Sequence, residues 1–450
     1  MTSFAICLLC FAGTFTLARR SLVWGLAACI GVGYVFGVLK ANIFDTFSFF
    51  MWDASVLGFY ASYFSRRSSP GELARTEGLR LWVAALIVWP VLLTLVPVQY
   101  PLVQLVGLRA NVFLLPFLLI GARLKPEEFD ELASLLAVLN LGALGVAMIE
   151  YFFGLEQFFP RNQVTELIYN SRDVAGYTAF RIPAFFTNAH AYAGTMVMTM
   201  PVLLGAWVRQ SIPWRRNLVS AGIMAGLLGV FLAASRTHMI MLCALMVFAL
   251  LSGELRSLSR ASLIVMLICM AWLVSNNERL QRFTTLLDME TVTQRVSSSL
   301  NLPFVEAALQ YPFGVGMGGG GTSIPYFLQN EILQPVAAEN EYVRIMLEEG
   351  VLGLCMWVAF IAWTATRRDS GHMRVSAGRR LARFLTVGYF IMACLGTGLL
   401  ASVPQSLLLF LAAGWASSGA ESAVGRTRFA ELTGTGRAFL FRDSKAQGAS

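Results

Sequence analysis

Apolar runs of about the length needed to cross a bilayer recur along nearly the whole chain, separated by short polar breaks. They lie near residues 3–18, 21–39, 46–64, 79–97, 105–123, 131–152, 190–208, 217–234, 236–252, 261–275, 341–364, 382–399 and 403–418. A hydrocarbon core takes roughly 17–25 mostly apolar residues per helix. The pattern therefore predicts an all-α polytopic membrane protein with about 12–13 transmembrane helices. The first and third runs match that template least well.

Basic residues then set a direction. Arg-rich segments follow every odd-numbered run: Arg19-Arg20, Arg66-Arg67, Arg123 with Lys125, Arg209 to Arg216, Arg256 with Arg260, Arg367 to Arg380, and Arg426 with Arg428. By the positive-inside rule these segments are cytoplasmic, the amino terminus faces outward and the tail inward. If the first run is not a span, twelve spans with an inward start result. The bundle is expected over 1–418, with a cytoplasmic, disordered tail over 419–450. Two outward loops, about 153–189 and 275–340, exceed what a connector needs, and loops of that length usually carry function or are disordered. The second, before the eleventh run, contains the glycine-rich stretch Gly314 to Gly321. That stretch lacks the Lys-Ser/Thr ending of a nucleotide loop and reads as a tightly turning wall.

Composition agrees with this class. Of 450 residues, 56% are apolar and 13% charged, far from a soluble domain. The net charge of +8 is distributed between spans, which argues against nucleic acid as a partner. All seven cysteines fall within apolar runs, where they act as small hydrophobes rather than as a disulfide framework or zinc site. The first run has no basic segment before it and no small-residue cleavage site, so it reads as a retained span.

Three polar clusters at outward edges could carry chemistry. One is Arg181 to His190, including Asn188, with Arg161 and Arg172 upstream. Another is Ser235-Arg236-Thr237-His238, a tight turn between two runs. A third is Glu339-Asn340-Glu341-Tyr342 with Arg344, after a loop that contains Arg295. A guanidinium is always charged and pairs with phosphate oxygens, so Arg236 and Arg181, and more weakly Arg295 and Arg344, suit a diphosphate at the membrane surface. An arginine at that level can equally snorkel to lipid headgroups. Glu339 or Glu341 could deprotonate a sugar hydroxyl, or simply favour a helix start by charge. His190 and His238 are bases or hydrogen-bond donors by type. No HExxH, carboxylate cluster or Cys/His grouping points to a metal.

The order of motifs resembles the O-antigen ligase and polymerase superfamily of bacterial envelope glycosyltransferases. The residues concerned are Arg181-x-x-x-Phe-x-x-Asn188, Ser235-Arg236, Pro312-x-Gly314-x-Gly316, and Asn340-x-Tyr342 followed by Glu348-x-Gly350-x-x-Gly353. The likeness covers roughly residues 130–365. It implies a membrane glycosyltransferase that uses an undecaprenyl-diphosphate-linked glycan at the outer face of the cytoplasmic membrane, with inversion and without metal or cofactor. Arg181 and Arg236 would hold the diphosphate, with Arg295 as a second-line contact. The ligase branch carries a histidine before the asparagine of the last motif, where this chain has Glu339. That departure leans toward polymerisation of lipid-linked repeat units, with Glu339 as candidate general base. The implied partners are the lipid-linked oligosaccharide, membrane lipids and a chain-length regulator. Ligation of a finished glycan to lipid A-core or protein is the alternative within the class. A transporter of lipid-linked glycans is the alternative outside it, disfavoured by the small number of charges within spans.

Overall fold

The computed structural model describes residues 2–43, 45–67, 69–171, 180–252, 264–265, 268, 293, 308–321, 324–333, 335, 340–367, 373–396, 398 and 400–418. Among them the regular elements are helices, with no β-strand. The α-helices are α1 (Thr2–Arg20), α2 (Leu22–Asn42), α3 (Met51–Phe64), α4 (Pro70–Leu93), α5 (Pro101–Val112), α6 (Pro116–Arg123), α7 (Pro126–Phe153) and α8 (Glu166–Tyr169). They continue with α9 (Ala189–Arg209), α10 (Pro213–Leu232), α11 (Arg236–Leu251), α12 (Glu341–Thr366), α13 (Met373–Met392) and α14 (Gln405–Ser417). Among the described residues, eight segments are long and apolar enough to cross a membrane: α1, α2, α4, the α5–α6 pair, α7, α9, α10 and α12. Helices α11 and α14 are apolar but shorter. The chain is thus an all-α, multi-pass membrane protein.

Helix starts follow local chemistry. Proline occupies the first turn of α4, α5, α6, α7 and α10, where its missing N–H costs no helical bond. Ser69 and Glu72 close a capping box at α4: the Glu72 N–H donates to Ser69 Oγ at 3.3 Å, and the Ser69 N–H to Glu72 Oε2 at 3.2 Å. This box starts α4 nine residues before the apolar run begins. Thr46–Phe50 forms a 3-10 turn ahead of α3, so the third run is not one continuous α-helix.

Tethers between connecting segments sort the bundle into two ends. At one, Arg66 donates to the Ala18 carbonyl, Arg123 Nη1 to Tyr63 OH at 2.7 Å, and Arg383 Nη2 to the Ala416 carbonyl at 2.7 Å. Arg209 pairs there with Asp130 at 2.7 Å. At the opposite end Asn42 Nδ2 reaches the Phe158 carbonyl at 2.8 Å, Gln99 Nε2 the Val315 carbonyl at 2.9 Å, and Arg181 Nε the Ala233 carbonyl at 3.0 Å. The first end is rich in arginine; the second carries the polar clusters.

Between the ends the core is close-packed. Asn140 of α7 accepts from Tyr34 OH at 2.7 Å and donates to Thr199 Oγ1 at 3.0 Å, which joins α2, α7 and α9 around one satisfied amide. Helix α14 is buried along its full length, chiefly against α6, α9 and α13. It reaches α6 so closely that a Cβ on Gly121 would strike the Leu411 carbonyl, and one on Gly414 the Leu118 carbonyl. Small residues at contact points let helices in a membrane approach this closely.

Candidate functional site

The segment before α9 is held from three sides. The Ala184 N–H donates to Glu150 Oε2 of α7 at 2.8 Å, which secures a positive φ of 52° at a residue with a side chain. Phe186 is buried against Tyr34 and Tyr192, with ring centroids 4.9 and 5.3 Å away. Asn188 caps α9 by accepting the Ala191 N–H at 2.8 Å. So positioned, Arg181 is buried, 3% exposed. Its Nε donates to the Ala233 carbonyl, and its Nη1 approaches Ser171 Oγ at 3.3 Å and His190 Nε2 at 3.2 Å.

Ala233 belongs to the turn from α10 into α11, where Ala234 takes φ 47°. The next residue, Ser235, is the N-cap of α11 but makes no side-chain cap bond. Its Oγ is engaged elsewhere, 2.7 Å from His238 Nδ1 and 3.2 Å from His190 Nδ1. An arginine can only donate. His190 Nε2 must therefore accept from Arg181, which leaves the proton on His190 Nδ1 for Ser235 Oγ. The serine hydroxyl can then donate to His238 Nδ1. The four side chains form one hydrogen-bonded chain, Arg181 to His190 to Ser235 to His238. His190 is exposed, His238 is buried, and Arg236 opens α11 beside them, half-buried.

The third cluster is built differently. Asn340 caps α12, accepting the Tyr342 N–H at 2.9 Å. Glu341 and Arg344 are fully inside the protein, at 1% and 0% exposure. Arg344 donates Nε and Nη2 to Glu341 Oε1 at 3.1 and 2.8 Å, and Nη1 to Glu348 Oε2 at 2.5 Å and Asn111 Oδ1 at 3.2 Å. Asn111 Nδ2 returns a bond to Glu348 Oε2 at 2.7 Å, and the Gly398 N–H donates to Glu341 Oε2 at 2.7 Å. Each named charge is opposed and hydrogen-bonded.

Helix α12 breaks directly after this cluster, where Gly350 takes φ 71° and ψ −178°. The glycine-rich stretch fills the break. The Leu347 carbonyl accepts the Val315 N–H at 2.6 Å, and the Val351 N–H donates to the Pro312 carbonyl at 3.0 Å. Gly314, Gly316 and Gly318 all have positive φ, so the stretch turns tightly against α12 and α5.

The structure thus gathers Arg181, Asn188, His190, Ser235, Arg236 and His238 at one corner, and Asn340, Glu341, Tyr342 and Arg344 at a second. Helix α13 links them: the Tyr389 ring lies 5.9 Å from that of His238, and the Phe390 carbonyl accepts from Tyr342 OH at 2.6 Å. Arg172, Arg295 and Glu339 lie outside the described residues. Reasoning from sequence did not pick out Asn111 or Glu150 and did not pair Glu348 with Arg344. The Glu348-Glu349-Gly350 run inside an apolar segment was the available signal, because acids within a span are expensive unless matched. These acids also make charges within helices more numerous than the sparse count expected. Comparison with family models and with curated proteins returns no match.

Proposed function

We propose that this chain polymerises polyprenyl-diphosphate-linked oligosaccharide repeat units at the outer face of a bacterial cytoplasmic membrane, by inverting, metal-independent glycosyl transfer. Under this reading the chain spans the membrane twelve or thirteen times, the arginine-rich end is cytoplasmic, and the large loop before α12 is extracytoplasmic. One observation carries the proposal: two segments that sequence motifs single out, Arg181–His190 and Ser235–His238, meet in one hydrogen-bonded chain beside Arg236. This corner combines two guanidinium groups with the amino terminus of α11, whose dipole also favours an anion. Arg236 makes the first contact with the diphosphate, and Arg181, tied to Ala233, steadies the corner and adds charge. A polyprenyl diphosphate is a good leaving group, so fixed cations supply the stabilisation that the transition state requires. Arg295 serves as a second-line contact and Glu339 as a candidate base.

Reconstitution with a synthetic undecaprenyl-diphosphate oligosaccharide tests this. Larger products should form without added metal or nucleotide, and Arg236→Ala should lower their yield by about 10²-fold or more. Cysteine labelling that places Ser235–His238 on the inner face would overturn the proposal.

A second reading is a transporter of the same lipid-linked glycans. The break in α12 at Gly350 and the buried charges beside it favour it, because transporters bind cargo at discontinuous helices. Vesicles that move the lipid-linked substrate across the bilayer but build no larger product would select this reading.

A further inference from the structure

His190 is the exposed member of this hydrogen-bonded chain, and the group that occupies its Nε2 is the arginine assigned to the donor's diphosphate. The Nη1 of Arg181 donates to His190 Nε2 at 3.2 Å, while His190 Nδ1 faces Ser235 Oγ at 3.2 Å. With both ring nitrogens engaged, the imidazole has no open lone pair for a proton. A diphosphate that draws Nη1 toward its oxygens forms a bond in which both partners are charged, stronger than the bond to an uncharged ring nitrogen that it replaces. His190 Nε2 is then released, with Nδ1–H still directed at Ser235 and the relay to buried His238 intact.

We propose that His190 is the proton acceptor of the transfer, and that Arg181 keeps it idle until the donor is bound. The inference rests on the transferase reading above. In the step, the acceptor hydroxyl oxygen bonds to the anomeric carbon as the bond from that carbon to the diphosphate oxygen breaks. The bonding pair leaves with the diphosphate, and the hydroxyl proton passes to His190 Nε2. The resulting imidazolium keeps its Nδ1–H bond to Ser235. Donor binding is thereby coupled to the appearance of the base, which requires the donor to bind before the acceptor is activated. The arrangement makes a base at position 339 unnecessary.

The latch predicts a chemical signature separate from turnover. Diethyl pyrocarbonate acylates an unprotonated imidazole nitrogen only where that nitrogen is accessible. The chain has three histidines, so mass spectrometry of peptides resolves the sites. In the purified protein His190 should react slowly. Adding undecaprenyl diphosphate, which cannot transfer a sugar, should raise its rate at least about tenfold, and so should Arg181→Ala or the gentler Arg181→Lys. A His190 rate unchanged by the carrier and by both variants overturns the latch. In the reconstituted assay, His190→Gln should slow chain growth by roughly 10²–10⁴-fold, the usual worth of a general base, with donor KM within about twofold. Full activity in His190→Gln overturns the base assignment and leaves the transferase reading standing. A wild-type protein that binds the carrier but never extends a glycan ends the transferase reading itself.

Discussion

The corner around His190 and the cluster around Arg344 are both rich in polar side chains, yet they are put together on opposite principles. Around Arg344, two carboxylates, one amide and one guanidinium are linked to each other at 2.5–3.2 Å, with essentially no exposure. Such a group has one arrangement, and removing a member strands a charge away from water. Around His190 the links run through imidazoles and a hydroxyl, which donate or accept according to tautomer, and the outermost ring is exposed. A closed ionic cluster serves the fold, whereas an adjustable chain with an exposed member can serve chemistry.

The sharpest way to break that contrast is Arg344→Met. It leaves Glu341 and Glu348 uncompensated and should cost about 3–5 kcal/mol, seen as an early melting transition in detergent. Combining it with Glu341→Gln and Glu348→Gln should recover much of the loss. A melting point unchanged in the single variant would remove the structural role assigned to the cluster. Gly350→Ala comes next, at about 1–3 kcal/mol, because alanine resists φ 71° and its Cβ would lie 2.9 Å from the Pro312 carbonyl oxygen. Glu150→Ala should cost a similar ~1–3 kcal/mol by stranding the Ala184 N–H, whereas Glu150→Gln keeps an acceptor there and should melt near wild type. Asn188→Ala removes the cap of α9 for about 1 kcal/mol. It should lower chain growth by more than its stability loss explains, because the cap sits two residues from His190. Arg161→Ala is the control. Its pair with Glu156 is exposed on both sides (66% and 69%), so the melting shift should correspond to less than about 1 kcal/mol.

Much of the fold was legible from hydropathy. The run at 131–152 lies inside α7 and that at 341–364 inside α12, and Arg66, Arg123 and Arg209, which follow the third, fifth and seventh runs, gather at one end of the bundle. Boundaries moved where local chemistry outweighed apolarity. The capping box pulled α4 back to Pro70, and Pro116, which has no N–H to continue the helical bonding, interrupts the run at 105–123. Of the candidate site, the arginines, histidines and Ser235 were legible by type. Their linkage was not, because it depends on contacts between residues 45 and 52 positions apart. Likewise, Pro312-x-Gly314 and Glu348-x-Gly350 were visible as two motifs. Only the tertiary structure makes them halves of one pairing, in which each supplies the hydrogen bonds the other lacks.

The burial of α14 bears on how the protein is made. This helix is synthesised after every other described element, yet it ends up enclosed by α6, α9 and α13. Thirteen residues are too few to hold a position in lipid unaided, so those partners must leave a slot until the ribosome has passed Ser417. Glycines at 121 and 414 admit the latecomer without a side chain in the way. A bulky residue at either position would therefore act at biogenesis, trapping an open intermediate for membrane quality control to degrade.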